Sequence, residues 1–170
     1  LDANWEEVNI EQAPAIDLFA NGDLVRGFAT EFGVPNFLMG LVGATAFAVA
    51  EIGNLQTTGG SSSVRFTGEY GMRTAGAAAR QLLMETAAAR WDVPLEELTT
   101  ELSHVHHNAS GRSYSYGQLA AQAAVMEPPE NPTLKDRSEF NIMGKAISRN
   151  DIPAKVNGSA KYGLDTHSED

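Results

Sequence analysis

GMRTAGAAARQLLMETAAAR, residues 71–90, decides the fold. Met72, Ala75, Ala79, Leu82 and Thr86 recur at i, i+3, i+7, i+10 and i+14, one stripe of an α-helix. Leu83, Ala87 and Ala88 widen the stripe, and Arg73, Arg80, Glu85 and Arg90 lie mostly off it. The helix is expected from about Ser62 to Arg90 and stops before Pro94. Gly68, Gly71 and Gly76 each cost about 1 kcal/mol relative to Ala in such a helix. Small residues along one side point to a close neighbour, either a second helix or a bound ligand.

Downstream, WDVPLEEL (91–98) reads as a turn and a short helical start. Residues 98–107 read as one strand, NASGR as a turn, and Ser113–Tyr114 as the start of a returning strand. Ser115 is placed to cap a helix from Tyr116 to about Val125. MEPPENPTLKD (126–136) is proline-rich and reads as a linker or an extended wrap. Beyond it, Asn157–Gly158 signals a turn and Ala160–Leu164 a strand.

Upstream, WEEVNIEQ (5–12) alternates as a strand does, with Val8 and Ile10 on one face, and Pro14 ends it. Residues 17–36 show no sustained period and read as loop with one short helix. FLMGLVGATAFAVAEI (37–52) is the most apolar run and reads as a buried helix or an active-site-lining loop, too short for a membrane span. Between it and the long helix lies TTGGSSSVRF (57–66). Glycines admit close approach of a ligand to backbone, a helix start offers N–H donors and partial positive charge, and serines add hydroxyls. The same residues also make an ordinary helix start, with Ser61 or Ser62 as the cap. The loop is neither a Walker A sequence nor a dinucleotide fingerprint. The residues alone leave both readings open.

Composition narrows the function classes. The chain has 170 residues, 22 acidic against 12 basic, and a net charge of −10. Nucleic acid is therefore not expected as a partner, because phosphate neutralisation needs clustered Lys and Arg. A hydrophobic fraction of 42% supports a core. With no cysteine, disulfides, thiolate metal sites and cysteine nucleophiles are excluded within this chain. His104, His106 and His107 invite a metal reading, but no fourth ligand is spaced for it, so an exposed histidine-decorated hairpin is the expectation. Asn108-Ala109-Ser110 matches a glycosylation sequon. No serine sits at a strand-to-helix elbow with a readable base and acid. Leu1 and the turn that follows it read as the opening of a fragment.

TGGSSSVR (58–65), TAGAAARQLL (74–83) and RWDVPLEEL (90–98), in that order, resemble the molybdenum-binding large subunit of the xanthine dehydrogenase and aldehyde oxidase family. The likeness is to the isoquinoline 1-oxidoreductase β-subunit type. WEEVNIEQAP (5–14), SGRSYSYGQLAAQAA (110–124) and LKDRSEFNIMGKAISRNDIPAKVNGSAKYGLD (134–165) extend the likeness over nearly the whole chain. Residues 15–56 match poorly.

The resemblance implies a molybdopterin cofactor, in its plain or cytosine dinucleotide form. Gly59, Gly60, Ser61, Ser62, Ser63 and Val64 would bind the pterin or its phosphates. It implies an iron–sulfur electron-transfer subunit as partner, the rest of a parent chain, and a small aldehyde or N-heteroaromatic substrate hydroxylated with oxygen from water. The family's catalytic glutamate and its Gly-Gln-Gly loop match nothing in these residues, so the fragment is expected to be inactive alone. A periplasmic or cytoplasmic location is expected, the periplasm favoured by the resemblance only.

The expected fold is α+β: a small mixed sheet, made of the 5–12 strand and the 98–115 hairpin, against the long helix. Residues 1–133 would be part of a molybdopterin-binding domain, and 134–170 a linker and the start of an a/b hammerhead segment. The rival is a non-catalytic interaction domain whose Gly-Ser loop only caps a helix and whose 37–52 run docks a partner.

Overall fold

The computed structural model describes residues 1–170 except 12, 15, 54, 55, 57–59, 150 and 166–170. It divides into two compact units, Leu1–Leu134 and Lys135–Asp170. The described helices and strands are α1 Gly22–Glu31, α2 Met39–Ile52, α3 Ser61–Phe66, α4 Arg73–Trp91, β1 Leu98–Glu101, β2 His104–His107, β3 Arg112–Ser115, α5 Tyr116–Ala123 and α6 Ile152–Val156. The fold is α+β, with a small sheet against a long helix.

The expected 62–90 helix is found as α3 and α4 joined through a π-helical stretch, Thr67–Met72. Gly68 and Gly71 fall in that stretch, where the widened i→i+5 turn replaces regular α geometry. The buried residues of α4 are Leu83, Met84, Thr86 and Ala87. The expected stripe is thus only half right, because Met72 and Ala75 are exposed. In an alanine-rich run every face is weakly apolar. Burial is set by where the sheet and α5 cover the helix, which is its C-terminal half.

β1, β2 and β3 form an antiparallel sheet in that order. Leu98 faces His107 and Glu101 faces His104 across one pair; His104 faces Ser115 and His107 faces Arg112 across the other. The single strand read over 98–107 is therefore two, turning at Leu102 and Ser103. Both adopt left-handed backbone, φ 44° and 64°, as a tight hairpin turn requires. Neither is the Gly or Asn that would have announced the turn. The N-terminal segment holds it instead. Ser103 N–H donates to the Asp2 carbonyl at 2.9 Å, and Asn4 N–H to Ser103 Oγ at 2.8 Å. This also corrects the 5–12 strand. Trp5–Glu7 is a 3-10 turn, Ile10 is exposed, and the sheet contains no residue of this segment. Backbone groups just ahead of it, at Asp2 and Asn4, clamp the hairpin turn rather than extending the sheet.

The core of the first unit is Leu83, Met84, Ala87, Leu98, Val105, Leu119 and Ala123. Tyr116 to Ala123 begins with the expected cap: Gln118 N–H donates to Ser115 Oγ at 3.3 Å and Ser115 N–H to Gln118 Oε1 at 2.8 Å, a reciprocal capping box. Leu119 is fully buried. Leu119→Ala should lower stability by about 2–5 kcal/mol, read as a reduced urea midpoint.

Residues 17–36, expected to be mostly loop, contain α1. Asn21 Oδ1 caps it by accepting from Leu24 N–H at 3.3 Å, and Thr67 Oγ1 donates to the same oxygen at 3.0 Å. The run 37–52 is helical as expected, forming α2 after a 3-10 turn at Asn36–Leu38, but it is not a buried helix: Gly43, Ala46 and Ala50 are buried, while Leu41, Val49 and Ile52 are exposed. Within α1, Gly22 lies against Phe47 and Gly27 against Phe66. Glycines that looked like helix breakers are contact points.

In the second unit the turn at Asn157–Gly158 is present, with Asn157 ending α6 and Gly158 at φ 78°. The expected strand Ala160–Leu164 is not. Ala160 N–H donates to the Ala154 carbonyl at 2.9 Å and Tyr162 N–H to Asp165 Oδ2 at 2.9 Å. Those local bonds use backbone donors that a strand would need, and Gly163–Asp165 is a 3-10 turn.

Candidate functional site

Gly59 lies outside the described residues. Gly60 is the residue before α3, at φ 56° and ψ −118°, a region that side-chain-bearing residues avoid. Among the described residues, its chain neighbours apart, no atom lies within 4 Å of a Cβ built there, so on that side the space beside this backbone is open. Ser61, Ser62 and Ser63 form the first turn of α3. The reading in which Ser61 or Ser62 is the cap residue is thereby corrected, since Gly60 holds that place. Val64 follows and is 78% exposed, with its N–H on the Gly60 carbonyl at 3.3 Å. Arg65 is paired with Glu31 at 2.5 Å. The turn thus carries hydroxyls and first-turn amides and no carboxylate of its own, and the Glu31 carboxylate is paired with Arg65. That donor set suits an anion or a pterin edge. Asp23 leans over the π-helical stretch, its Oδ2 2.5 Å from where a Gly71 Cβ would stand. Burial raises its carboxyl above the usual range, against the lowering pull of Arg26.

A second polar cluster sits at the open end of the hairpin. His107 is 5% exposed and packs near Trp91, ring centroids 6.3 Å apart. Trp91 stacks on Tyr114 at 4.8 Å. His107 Nε2 lies 2.8 Å from Glu97 Oε2, and Nδ1 lies 2.7 Å from Ser110 Oγ. Arg112 Nε donates to Ser110 Oγ at 2.6 Å, and its Nη2 lies 3.2 Å from His107 Nδ1. The expectation of an exposed histidine-decorated hairpin holds only in part for His104 and His106, which are half-buried and stack at 5.9 Å on the face opposite Val105 and His107. It fails for His107, because the register turns residues 105 and 107 toward the core. Among the described residues no three His, Asp or Glu side chains are grouped to hold a metal ion.

A third cluster joins the N-terminus to the sheet. Thr100 Oγ1 donates to Asp2 Oδ2 at 2.6 Å, Arg80 lies 3.4 Å from the same oxygen, and Tyr116 OH donates to the Leu1 carbonyl at 2.5 Å. Burial, then the Asp2 charge, pushes the Tyr116 phenol up from 10.0 to about 12. The folded state holds this proton more tightly than the unfolded chain. Its stabilisation is complete below the ordinary phenol range and is lost as pH rises from 10.0 to about 12. Comparing alkaline urea midpoints, Tyr116→Phe should remove part of the loss seen in the unmodified protein across that window.

No family model matches the chain. Over 198 aligned positions covering 97% of it, the chain is 33% identical to the β-subunit of isoquinoline 1-oxidoreductase from Brevundimonas diminuta. The chain belongs to the isoquinoline 1-oxidoreductase β-subunit family. It is also 36% identical, over 68% of its length, to the membrane-bound aldehyde dehydrogenase (pyrroloquinoline-quinone) of Gluconacetobacter polyoxogenes. It spans 22% of the first relative's length and 15% of the second's. The family is that of the molybdenum-containing oxidoreductases its sequence resembles. Among the described residues no helix is long and apolar enough to cross a membrane.

Proposed function

We propose that this chain supplies one wall of the cofactor site of a molybdenum hydroxylase large subunit. The observation that carries the reading is the open, left-handed Gly60 at the head of three serines, in a chain that aligns over 97% of its length with an isoquinoline 1-oxidoreductase β-subunit. Gly60, Ser61, Ser62, Ser63 and Val64, with Gly59, would hold molybdopterin, in its plain or cytosine dinucleotide form. When bound, the molybdenum centre supplies the redox chemistry that hydroxylates an aldehyde or N-heteroaromatic carbon with oxygen from water. The chain's own part is to bind and orient. The glycine backbone permits close approach, and amides and hydroxyls offset negative charge. No residue here matches the family's catalytic glutamate, so the segment alone is expected to turn over nothing. Residues 1–133 would be part of the molybdopterin-binding domain and 134–170 the lead into the hammerhead segment. The first relative is itself a subunit by name, in line with electrons leaving through an iron–sulfur partner.

A second reading follows from the name of the other relative, which gives pyrroloquinoline quinone rather than a pterin. The interaction-module reading keeps one structural observation of its own, an open apolar groove of about 350 Å³ lined by Val25, Leu41, Val42, Ala46 and Val49. Mass spectrometry of the cofactor released on denaturing the full-length protein separates all three. A pterin supports the proposal, a quinone the second relative's chemistry, and neither, from a host that makes both, the interaction module.

A further inference from the structure

The Glu97–His107–Ser110 chain belongs to none of the functions above, and its contacts fit an assignment in which the hydroxyl faces a ring lone pair. Ionised Glu97 only accepts, so His107 Nε2 carries the hydrogen across the 2.8 Å contact. Arg112 Nη2 can only donate, so its 3.2 Å contact makes His107 Nδ1 an acceptor, and at 2.7 Å that nitrogen is placed to accept from the Ser110 hydroxyl. Arg112 Nε donates to the same Oγ at 2.6 Å. Arg112 Nη2 competes for Nδ1 from 3.2 Å, the longer contact. A hydroxyl, a neutral imidazole and an orienting carboxylate stand in line, with a guanidinium on the hydroxyl oxygen. His107 is held rigid by burial against Trp91, whereas Ser110 is exposed at the turn.

We propose that Ser110 is an activated hydroxyl, a modification site that accepts acyl groups from activated esters. Ser110 Oγ attacks the ester carbonyl carbon while its proton passes to His107 Nδ1. The tetrahedral adduct collapses, the bond from carbonyl carbon to the leaving phenolate oxygen breaks, and the phenolate takes the proton from His107. The products are O-acyl Ser110 and a phenol, with no change of oxidation state. Glu97 orients the imidazole and steadies its positive charge, and Arg112 stabilises the charge that grows on Oγ as the proton leaves. The site lies on an open turn, so a stable covalent mark is expected rather than rapid turnover.

The test exposes the full-length folded protein to p-nitrophenyl acetate and follows acetylation peptide by peptide. Hydroxylamine lability separates esters on serine from amides on lysine. Ser110 should be marked about 100-fold faster than other exposed serines, the scale of general-base assistance. Marking should vanish in Ser110→Ala, fall about 100-fold in His107→Gln, and fall about 10-fold in Glu97→Gln. Glu97 is half-exposed, so that variant should stay folded and decides the matter if His107→Gln does not. Absence of a mark on Ser110 in the folded protein would overturn the proposal. So would an unchanged rate in Glu97→Gln.

Discussion

Gly27→Ala is expected to be among the most damaging additions of a single methyl group in this chain. The new Cβ would lie 2.0 Å from Phe66 Cγ, 2.4 Å from its Cδ1 and 2.5 Å from its Cβ. Rotating the ring cannot clear a clash that includes Phe66 Cβ. Phe66 has little room to retreat either, being 6% exposed and set edge-on to Phe28 with centroids 5.3 Å apart. Helix α1 must therefore move away from α3. Overpacking of this kind costs about 1–3 kcal/mol, and the upper end is expected here. Gly40→Ala is the counterpart. It lies in the first turn of α2 with no atom of another described segment within 4 Å of the added carbon, and should stabilise by roughly 0.5 kcal/mol through reduced backbone freedom of the unfolded chain. Urea midpoints that fall for Gly27→Ala and rise for Gly40→Ala would bear out the packing; two equal midpoints would not.

The same pair explains what could be read in advance. A glycine in a sequence is legible as conformational freedom, and illegible as a place where a phenylalanine from a distant segment lands. Gly22 and Gly27 therefore looked like interruptions in 17–36, and α1 was legible only as one short helix without bounds. The α4 helix was legible because its pattern is local, although the face it buries was not. Ser115 and Gln118 announced their cap because capping is decided within four residues. The hairpin turn at Leu102–Ser103 was hidden because its left-handed backbone is held by Asp2 and Asn4, roughly a hundred residues away. His107 was read with its neighbours because one register position separates the outer face from the core. Its partner Ser110 was only three residues away and readable as such. Glu97, which completes the line, is brought in by the pairing of β1 with β2.

The second large effect is on cofactor content. Ser62→Ala combined with Ser63→Ala, in the full-length protein, should sharply reduce molybdenum and pterin occupancy while leaving the urea midpoint nearly unchanged. Both serines sit half-buried in the first turn of α3, and surface-side hydroxyl losses usually move stability within about 0.5 kcal/mol. Their proposed work is to donate to the cofactor, and loss of a hydrogen bond to a charged group costs about 1.5–3 kcal/mol, more than tenfold in affinity. Gly60→Val should act in the same direction by a different route. A β-branched residue resists the left-handed backbone Gly60 adopts and would fill the open space beside it. If occupancy survives all three changes, the loop is not the cofactor wall.

The most direct test of the account is elemental molybdenum per polypeptide in the full-length protein, purified with its natural partner from a host able to make the cofactor. The proposed function predicts close to one molybdenum per chain. A protein active on its substrate but free of molybdenum would contradict it.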